Sequence, residues 1–258
     1  MDPLLNFAVE TATAAGRLLK SKFGGPLAVD YKGEIDIVTE ADRMSETLIL
    51  ESIRQRYPDH GILSEESPAS GMGASYRWLV DPLDGTTNYA HGFPVFCVSI
   101  ALEKEGEVIL GVVHNPMLQE TFTALKGGGA FLNGRRVKVS AVRTLSGSLL
   151  ATGFPYDIRN DKNNNLDLFS RMALSAQAIR RAGAAALDLC YVAAGRFDGF
   201  WELKLKPWDT AAGWLLVTEA GGRVTDLAGA PYALSSPNML SSNGLIHSDM
   251  IRVLQSPA

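Results

Sequence analysis

The chain has 258 residues, 46% hydrophobic and 20% charged, the composition of a folded globular protein and not of a disordered one. A chain of that length buries about 70–75% of its unfolded surface, so it needs neither a disulfide nor a metal merely to fold. With 24 Lys and Arg against 28 Asp and Glu its formal charge is −4, which lacks the basic surplus of a nucleic-acid or anionic-membrane binder.

Residues 4–23 read as an amphipathic helix, with Leu4, Leu5, Ala8, Ala12, Ala15, Leu18 and Leu19 at helical spacing and Gly24-Gly25-Pro26 as its stop. The N-terminus lacks the basic region and apolar run of a signal peptide, and no stretch is apolar enough to span a membrane, so a cytoplasmic protein is expected. Residues 29–34 read as an extended or loop stretch rich in polar residues. A second helix is expected over 41–56, with Thr39 as N-cap, Asp42 three residues on, and Pro58 past its end. Residues 78–80 read as a short buried strand. Residues 96–102 and 108–113 flank a turn at Glu105-Gly106, the signature of a hairpin. Residues 121–125 and 136–139 are expected as further strands, separated by Gly127-Gly128-Gly129 and Asn133-Gly134.

The second half alternates. Residues 149–152 read as a strand, 166–174 as a helix, 184–194 as an Ala-rich helix, 197–203 as a strand and 208–220 as a helix ended by Gly221-Gly222. A strand over 223–225 and a helix near 248–254 close the chain, and the polar segment 157–165 is the expected flexible loop. The sum is an α+β or layered α/β protein. It is expected as a single two-lobed domain over 1–258, with lobes of about 1–145 and 146–258. Cys97 and Cys190 sit in apolar runs and fit no zinc or redox spacing, so both are expected as buried, reduced thiols.

The chemistry is concentrated in Trp78-Leu79-Val80-Asp81-Pro82-Leu83-Asp84-Gly85-Thr86-Thr87-Asn88. An apolar strand ends in Asp81, Pro82 forbids a helix through it, and Gly85 with the threonine pair signals a tight turn opening a helix. Such a turn can aim Asp81 and Asp84 at one spot, where two carboxylates repel unless a proton or a cation intervenes. A hard divalent ion with oxygen ligands resolves this, and the Leu83 carbonyl could join it. The amides of Gly85 and Thr86 at the helix start favour phosphate. Alone, the motif is also an ordinary capping turn. Further acids surround it in sequence: Asp36, Asp42, Glu65, Glu66 and Asp209.

Four runs carry a resemblance: Asp36-x-Val38-Thr39-x-x-Asp42, Ser64-Glu65-Glu66-Ser67, Trp78-x-x-Asp81-Pro82-x-Asp84-Gly85-Thr86-x-Asn88 and Trp208-Asp209-x-Ala211-Ala212. Their order and spacing are similar to those of the inositol monophosphatase family, within the lithium-sensitive, magnesium-dependent phosphatases. Arg181-x-Gly183-x-Ala185-Ala186 and Glu219-Ala220-Gly221-Gly222 extend the likeness over nearly the whole chain. The resemblance implies an αβαβα sandwich of alternating helix and sheet layers and two or three Mg²⁺ ions. It implies Glu65, Asp81, the Leu83 carbonyl, Asp84 and Asp209 as metal ligands, with Glu66 beside them. Thr86 and Asp42 would activate the attacking water, with Glu65 and Asp84 in the catalytic set. Gly85 and Thr86 would hold phosphate; Gly183, Ala185, Glu202 and Asp209 would meet the substrate. Lys32 matches a lysine near the metal, at a spacing to Asp36 one shorter than in some relatives.

The substrate so implied is a small phosphomonoester, a myo-inositol monophosphate, on a homodimer that touches neither nucleic acid nor membrane. Fructose 1,6-bisphosphate, histidinol phosphate, NADP and 3′-phosphoadenylates remain alternatives, because metal and phosphate ligands do not read the leaving group. A regulatory binding protein on a phosphatase scaffold is the reading from another class. The four histidines show no ligand spacing, with His91 alone near the site rim.

Overall fold

A computed structural model describes residues 2–26, 28–71 and 73–256. The chain opens with α1 (Pro3–Lys22), capped by the Asp2 carboxylate on the amides of Leu4 and Leu5. A short antiparallel pair, β1 (Val29–Tyr31) and β2 (Ile37–Thr39), leads into α2 (Glu40–Arg56). Then come β3 (Gly61–Ser64), β4 (Tyr76–Asp84), α3 (Thr86–Ala90), β5 (Cys97–Lys104), β6 (Glu107–Asn115), β7 (Glu120–Leu125), β8 (Gly129–Leu132) and β9 (Arg135–Arg136). The second half runs β10 (Leu149–Thr152), α4 (Leu166–Ala173), β11 (Ala178–Arg180), α5 (Ala185–Ala193), β12 (Gly199–Leu203), α6 (Pro207–Glu219), β13 (Arg223–Thr225), β14 (Asn238–Ser242) and α7 (His247–Gln255).

The strands form a seven-stranded sheet in sequence order from β3 to β9 and a five-stranded sheet in the order β11-β10-β12-β14-β13. In the larger sheet β3 runs parallel to β4 and the remaining pairs are antiparallel. Helices α1 and α2 cover one face of it, and α5 and α6 fill the space between the two sheets. Helices α4 and α7 cover the outer face of the smaller sheet. The architecture is therefore five alternating layers of helix and sheet. Both faces of the larger sheet are covered, which is why β5 is buried from Cys97 to Glu103 and lacks the alternation of a half-exposed strand. Helix α6 lies directly on β6, where a Cβ at Gly111 would stand 2.9 Å from the Ala212 backbone.

The helices and the central hairpin fall where the sequence places them. Three strands escape that reading. β8 begins at Gly129, a glycine that reads as a separator. β11 and β14 are too short or too polar to give a period-2 signal, and both are held by pairing with distant strands. The strand expected over 136–139 shrinks to Arg135–Arg136, and the amides of Val137 and Val139 instead bond to the carbonyls of Ala130 and Ala220. Cys97 and Cys190 are both buried and free. Among the described residues no helix is long and apolar enough to cross a membrane.

Candidate active site

Strand β4 explains how two carboxylates three residues apart come to share one cavity. In a regular strand residues i and i+3 face opposite sides. Here Asp81 pairs with Ser99 but Asp84 pairs with Cys97, so three steps on β4 match two on β5. This bulge at Pro82, which has no amide to give the ladder, turns Asp84 to the side of Asp81. Past the bulge, Gly85 adopts φ 95° as N-cap of α3, and a Cβ there would lie 2.9 Å from the Val95 carbonyl.

A cavity of about 500 Å³ opens at this point, between residues of the two sheets. Glu65, Asp81, Leu83, Asp84, Gly85, Thr86, Gly183, Ala185, Glu202 and Asp209 all line it. Asp42 and Glu66 are the expected site residues off the wall; Asp42 stands behind Thr86, whose Oγ1 donates to Asp42 Oδ1 at 2.8 Å. The other Asp42 oxygen closes the capping box of α2, accepting from the Thr39 amide at 2.8 Å and from Thr39 Oγ1 at 2.5 Å. His91 does not reach the wall, and among the described residues the wall contains no Cys, His or Ser.

The four acids Glu65, Asp81, Asp84 and Asp209 share one pattern. Glu65 Oε1 takes Lys32 Nζ at 2.8 Å, Asp81 Oδ1 the Leu83 amide at 3.0 Å, Asp84 Oδ2 the Ala186 amide at 2.8 Å, and Asp209 Oδ2 the Lys206 amide at 2.7 Å. The second oxygen of each has no hydrogen-bond donor among the described residues. Burial raises all four pKa values, that of Asp84 to about 6, and the acids push one another further: Glu65, Asp84 and Asp209 act on Asp81. Uncompensated mutual repulsion of this kind is what a bound cation relieves.

Among the described residues no three His, Cys, Asp or Glu side chains stand together as a cage for one metal ion. Mg²⁺ asks for less than a cage: it takes one or two carboxylates and fills its octahedron with water and phosphate oxygens. Hard oxygen donors, each with an unused lone-pair oxygen, fit such an ion; the Leu83 carbonyl, which lies 3.0 Å from Thr86 Oγ1, adds another.

Two residues shape the site in ways the sequence does not foretell: Glu46 carries no signal, and Asn88 stands in the motif without a role. Glu46 looks like a surface acid of an amphipathic helix, yet it is buried. Its carboxylate takes Ser64 Oγ at 2.5 Å, the Glu66 amide at 3.1 Å and Ser67 Oγ at 2.5 Å, fixing the loop that carries Glu65. Asn88 Nδ2 donates to the carbonyls of Val95 at 2.7 Å and Ala182 at 2.8 Å, strapping the loop before α5 to α3. Lys32 reaches both Glu65 and Glu66, at 2.8 and 2.6 Å. Burial opposes its charge, but the two glutamates outweigh that and hold its pKa above the ordinary lysine value.

A five-layered fold with this acid-lined cavity at its centre is that of a phosphatase. The chain belongs to the Inositol monophosphatase family, whose model it matches over residues 1–256. It is 45% identical over 264 residues to a Pseudomonas aeruginosa protein named Nus factor SuhB, covering 99% of this chain and 97% of that one. It is 43% identical over 257 residues to the inositol-1-monophosphatase of Mesorhizobium japonicum, covering 98% and 97%. The crystal structure of extragenic suppressor protein suhB from Bartonella henselae superposes with a TM-score of 0.93 at 43% identity, covering 100% of both chains.

Proposed function

We propose that the protein is a Mg²⁺-dependent phosphomonoesterase that hydrolyses myo-inositol monophosphates to inositol and phosphate. The observation that carries this is the set of four acids on one cavity, Asp81 buried and the other three half-buried, each with an oxygen that no donor among the described residues uses. Glu65, Asp81, Asp84, Asp209 and the Leu83 carbonyl would hold two or three ions. Bound there, Mg²⁺ would draw charge from the phosphate and acidify a water. The chain's own part is positional. Thr86 donates its hydroxyl proton to Asp42, which leaves the Thr86 oxygen free to accept from the attacking water. Gly85 and Thr86 amides orient the phosphate, and Glu202 with Gly183 and Ala185 meets the leaving polyol.

The same reading takes the chain as one two-lobed unit, because the cavity draws its wall from both halves. It includes a cytoplasmic homodimer acting on a small molecule. A phosphate-release panel tests it: myo-inositol 1-phosphate, fructose 1,6-bisphosphate, histidinol phosphate and NADP, each with Mg²⁺, with chelator, and with millimolar lithium. Release that needs Mg²⁺, prefers inositol 1-phosphate and falls with lithium is expected. Equal turnover in chelator would overturn the metal assignment. The name of the Pseudomonas relative favours a second reading, a role as a Nus factor. The two separate on the same panel, since no turnover on any phosphomonoester leaves only the second.

A further inference from the structure

The cavity wall contains an acid that nothing in the proposed hydrolysis uses. Asp188 sits in the first half of α5, is 1% exposed and borders the cavity. Neither of its carboxyl oxygens has a hydrogen-bond donor among the described residues, and Oδ1 is shut off from solvent as well. It does not cap its helix, because the α5 amide of Ala186 is taken by Asp84. A buried carboxyl without a partner costs about 1–3 kcal/mol or more, whereas an apolar residue in the same Ala-rich helix would cost nothing. The fold therefore gives no reason for an acid there.

Its neighbour across the cavity explains it. Glu202 lines the same wall and likewise has no donor among the described residues. Its carboxylate lies on the backbone of β10's exit, where a Cβ at Gly153 would come within 2.1 Å of Glu202 Oε1. Burial, then the charges of Glu202 and Asp84, push the Asp188 carboxyl well above the ordinary range, while Arg181, also on the wall, opposes them. Two carboxyls and one guanidinium thus border one stretch of wall, and neither carboxyl has a donor among the described residues. Hydroxyl donors answer that arrangement, because an O–H to a carboxyl makes a short, strong bond and brings no charge. A second phosphate would bring negative charge against both acids.

Building on the proposed phosphatase activity, we infer that Asp188 is a specificity-determining residue that pairs with Glu202 to bind hydroxyls of a neutral polyol leaving group. The pair selects polyol monophosphates over substrates without hydroxyls and over sugar bisphosphates.

The test uses the full chain with Mg²⁺, as wild type, Asp188→Asn and Asp188→Ala. Phosphate release is measured from myo-inositol 1-phosphate and from phenyl phosphate, which has no hydroxyls to bind. In Asp188→Ala the ratio of the two kcat/KM values is expected to fall about tenfold, the worth of one good hydrogen bond, mainly through KM for the inositol ester. Asp188→Asn, which keeps an acceptor oxygen, is expected to lie between. Thermal unfolding is expected at a higher temperature in Asp188→Ala, since an unpartnered buried acid has gone. An unchanged ratio, or parallel loss on both substrates, would overturn the inference. If the wild type releases no phosphate from any ester, the phosphatase reading falls. Calorimetric titration with free myo-inositol then still decides: heat in the wild type that Asp188→Ala loses supports Asp188, and equal or absent heat overturns it.

Discussion

Asp84 Oδ2 accepts the amide of Ala186 at 2.8 Å, joining residues 102 positions apart and closing the first turn of α5. One carboxylate thus ties the bulged end of β4 to a helix from the other half of the chain. It also keeps its second oxygen for the cavity. Asp84→Asn retains an acceptor for the Ala186 amide but removes the charge. Mg²⁺-dependent phosphate release is expected to drop by at least about 100-fold. The unfolding temperature in chelator should stay the same or rise, because one repelling charge has gone. Turnover near the wild-type rate would remove Asp84 from the site.

Thr86 Oγ1 has two acceptors within reach of its single hydrogen, Asp42 at 2.8 Å and the Leu83 carbonyl at 3.0 Å, so its place depends on the hydroxyl and not on the methyl group. Thr86→Ala should lose about 100-fold in kcat, the usual lower bound for a proton-handling group. Thr86→Ser should recover most of it. If serine is as inactive as alanine, the methyl packing and not the hydroxyl matters.

Glu46 holds the Ser64–Ser67 loop through three hydrogen bonds. Glu46→Ala leaves the buried Ser64 hydroxyl and two half-buried donors unpaired, at a cost of about 1–3 kcal/mol in urea unfolding. The Mg²⁺ concentration for half-maximal activity is expected to rise about tenfold as Glu65 loses its fixed position. Glu46→Gln, with one oxygen intact, should suffer less on both counts.

Gly85 combines φ 95° with the Val95 carbonyl 2.9 Å from any Cβ. Gly85→Ala must strain the backbone and push β5's approach aside. A loss of about 1–2 kcal/mol in stability from the backbone alone is expected, with activity falling further because the Asp84–Thr86 turn moves.

Acid should destabilise the fold through His114 and His247. Burial lowers both from 6.5 to about 4, helped by Arg17 and Arg223 respectively. Each imidazole is hydrogen-bonded to hydroxyls, His114 to Thr121 and His247 to Thr225 and Ser242. Above pH 6.5 folded and unfolded states both carry neutral rings, and nothing changes. Between 6.5 and about 4 only the unfolded chain takes these protons, so the histidines' share of the stability falls as pH falls, by up to about 3 kcal/mol each, while the raised site acids pull the other way. Urea unfolding at pH 7, 6, 5 and 4.5 checks this, and His247→Asn should flatten the slope. An unaltered slope in that variant would place the acid lability elsewhere.

Much of the local structure is written in short runs. Thr39 and Asp42 spell a capping box, and the hairpin turn at Glu105-Gly106 is plain. The acids at 65, 81, 84 and 209 are legible as a motif set. In isolation, though, Asp42 and Asp209 read as ordinary caps. Both are in fact caps, each with one oxygen on its own helix start and the other carboxyl oxygen turned outward. Local spacing fixes only the first half of that double use. The bulge that turns Asp84 beside Asp81 is visible in sequence as Pro82. Its effect depends on β5 supplying two residues against three.

Helices, caps and turn chemistry are legible in the sequence alone, because these depend on neighbours within a few residues. Only the packed structure turns Glu46 inward, lets Asn88 strap a loop 94 residues away, and sets Asp188 and Glu202 on one cavity. The physical reason is common to all three. A carboxylate or amide on a helix carries no mark of its partner, and whether it is solvated or buried is set when separate layers pack against it.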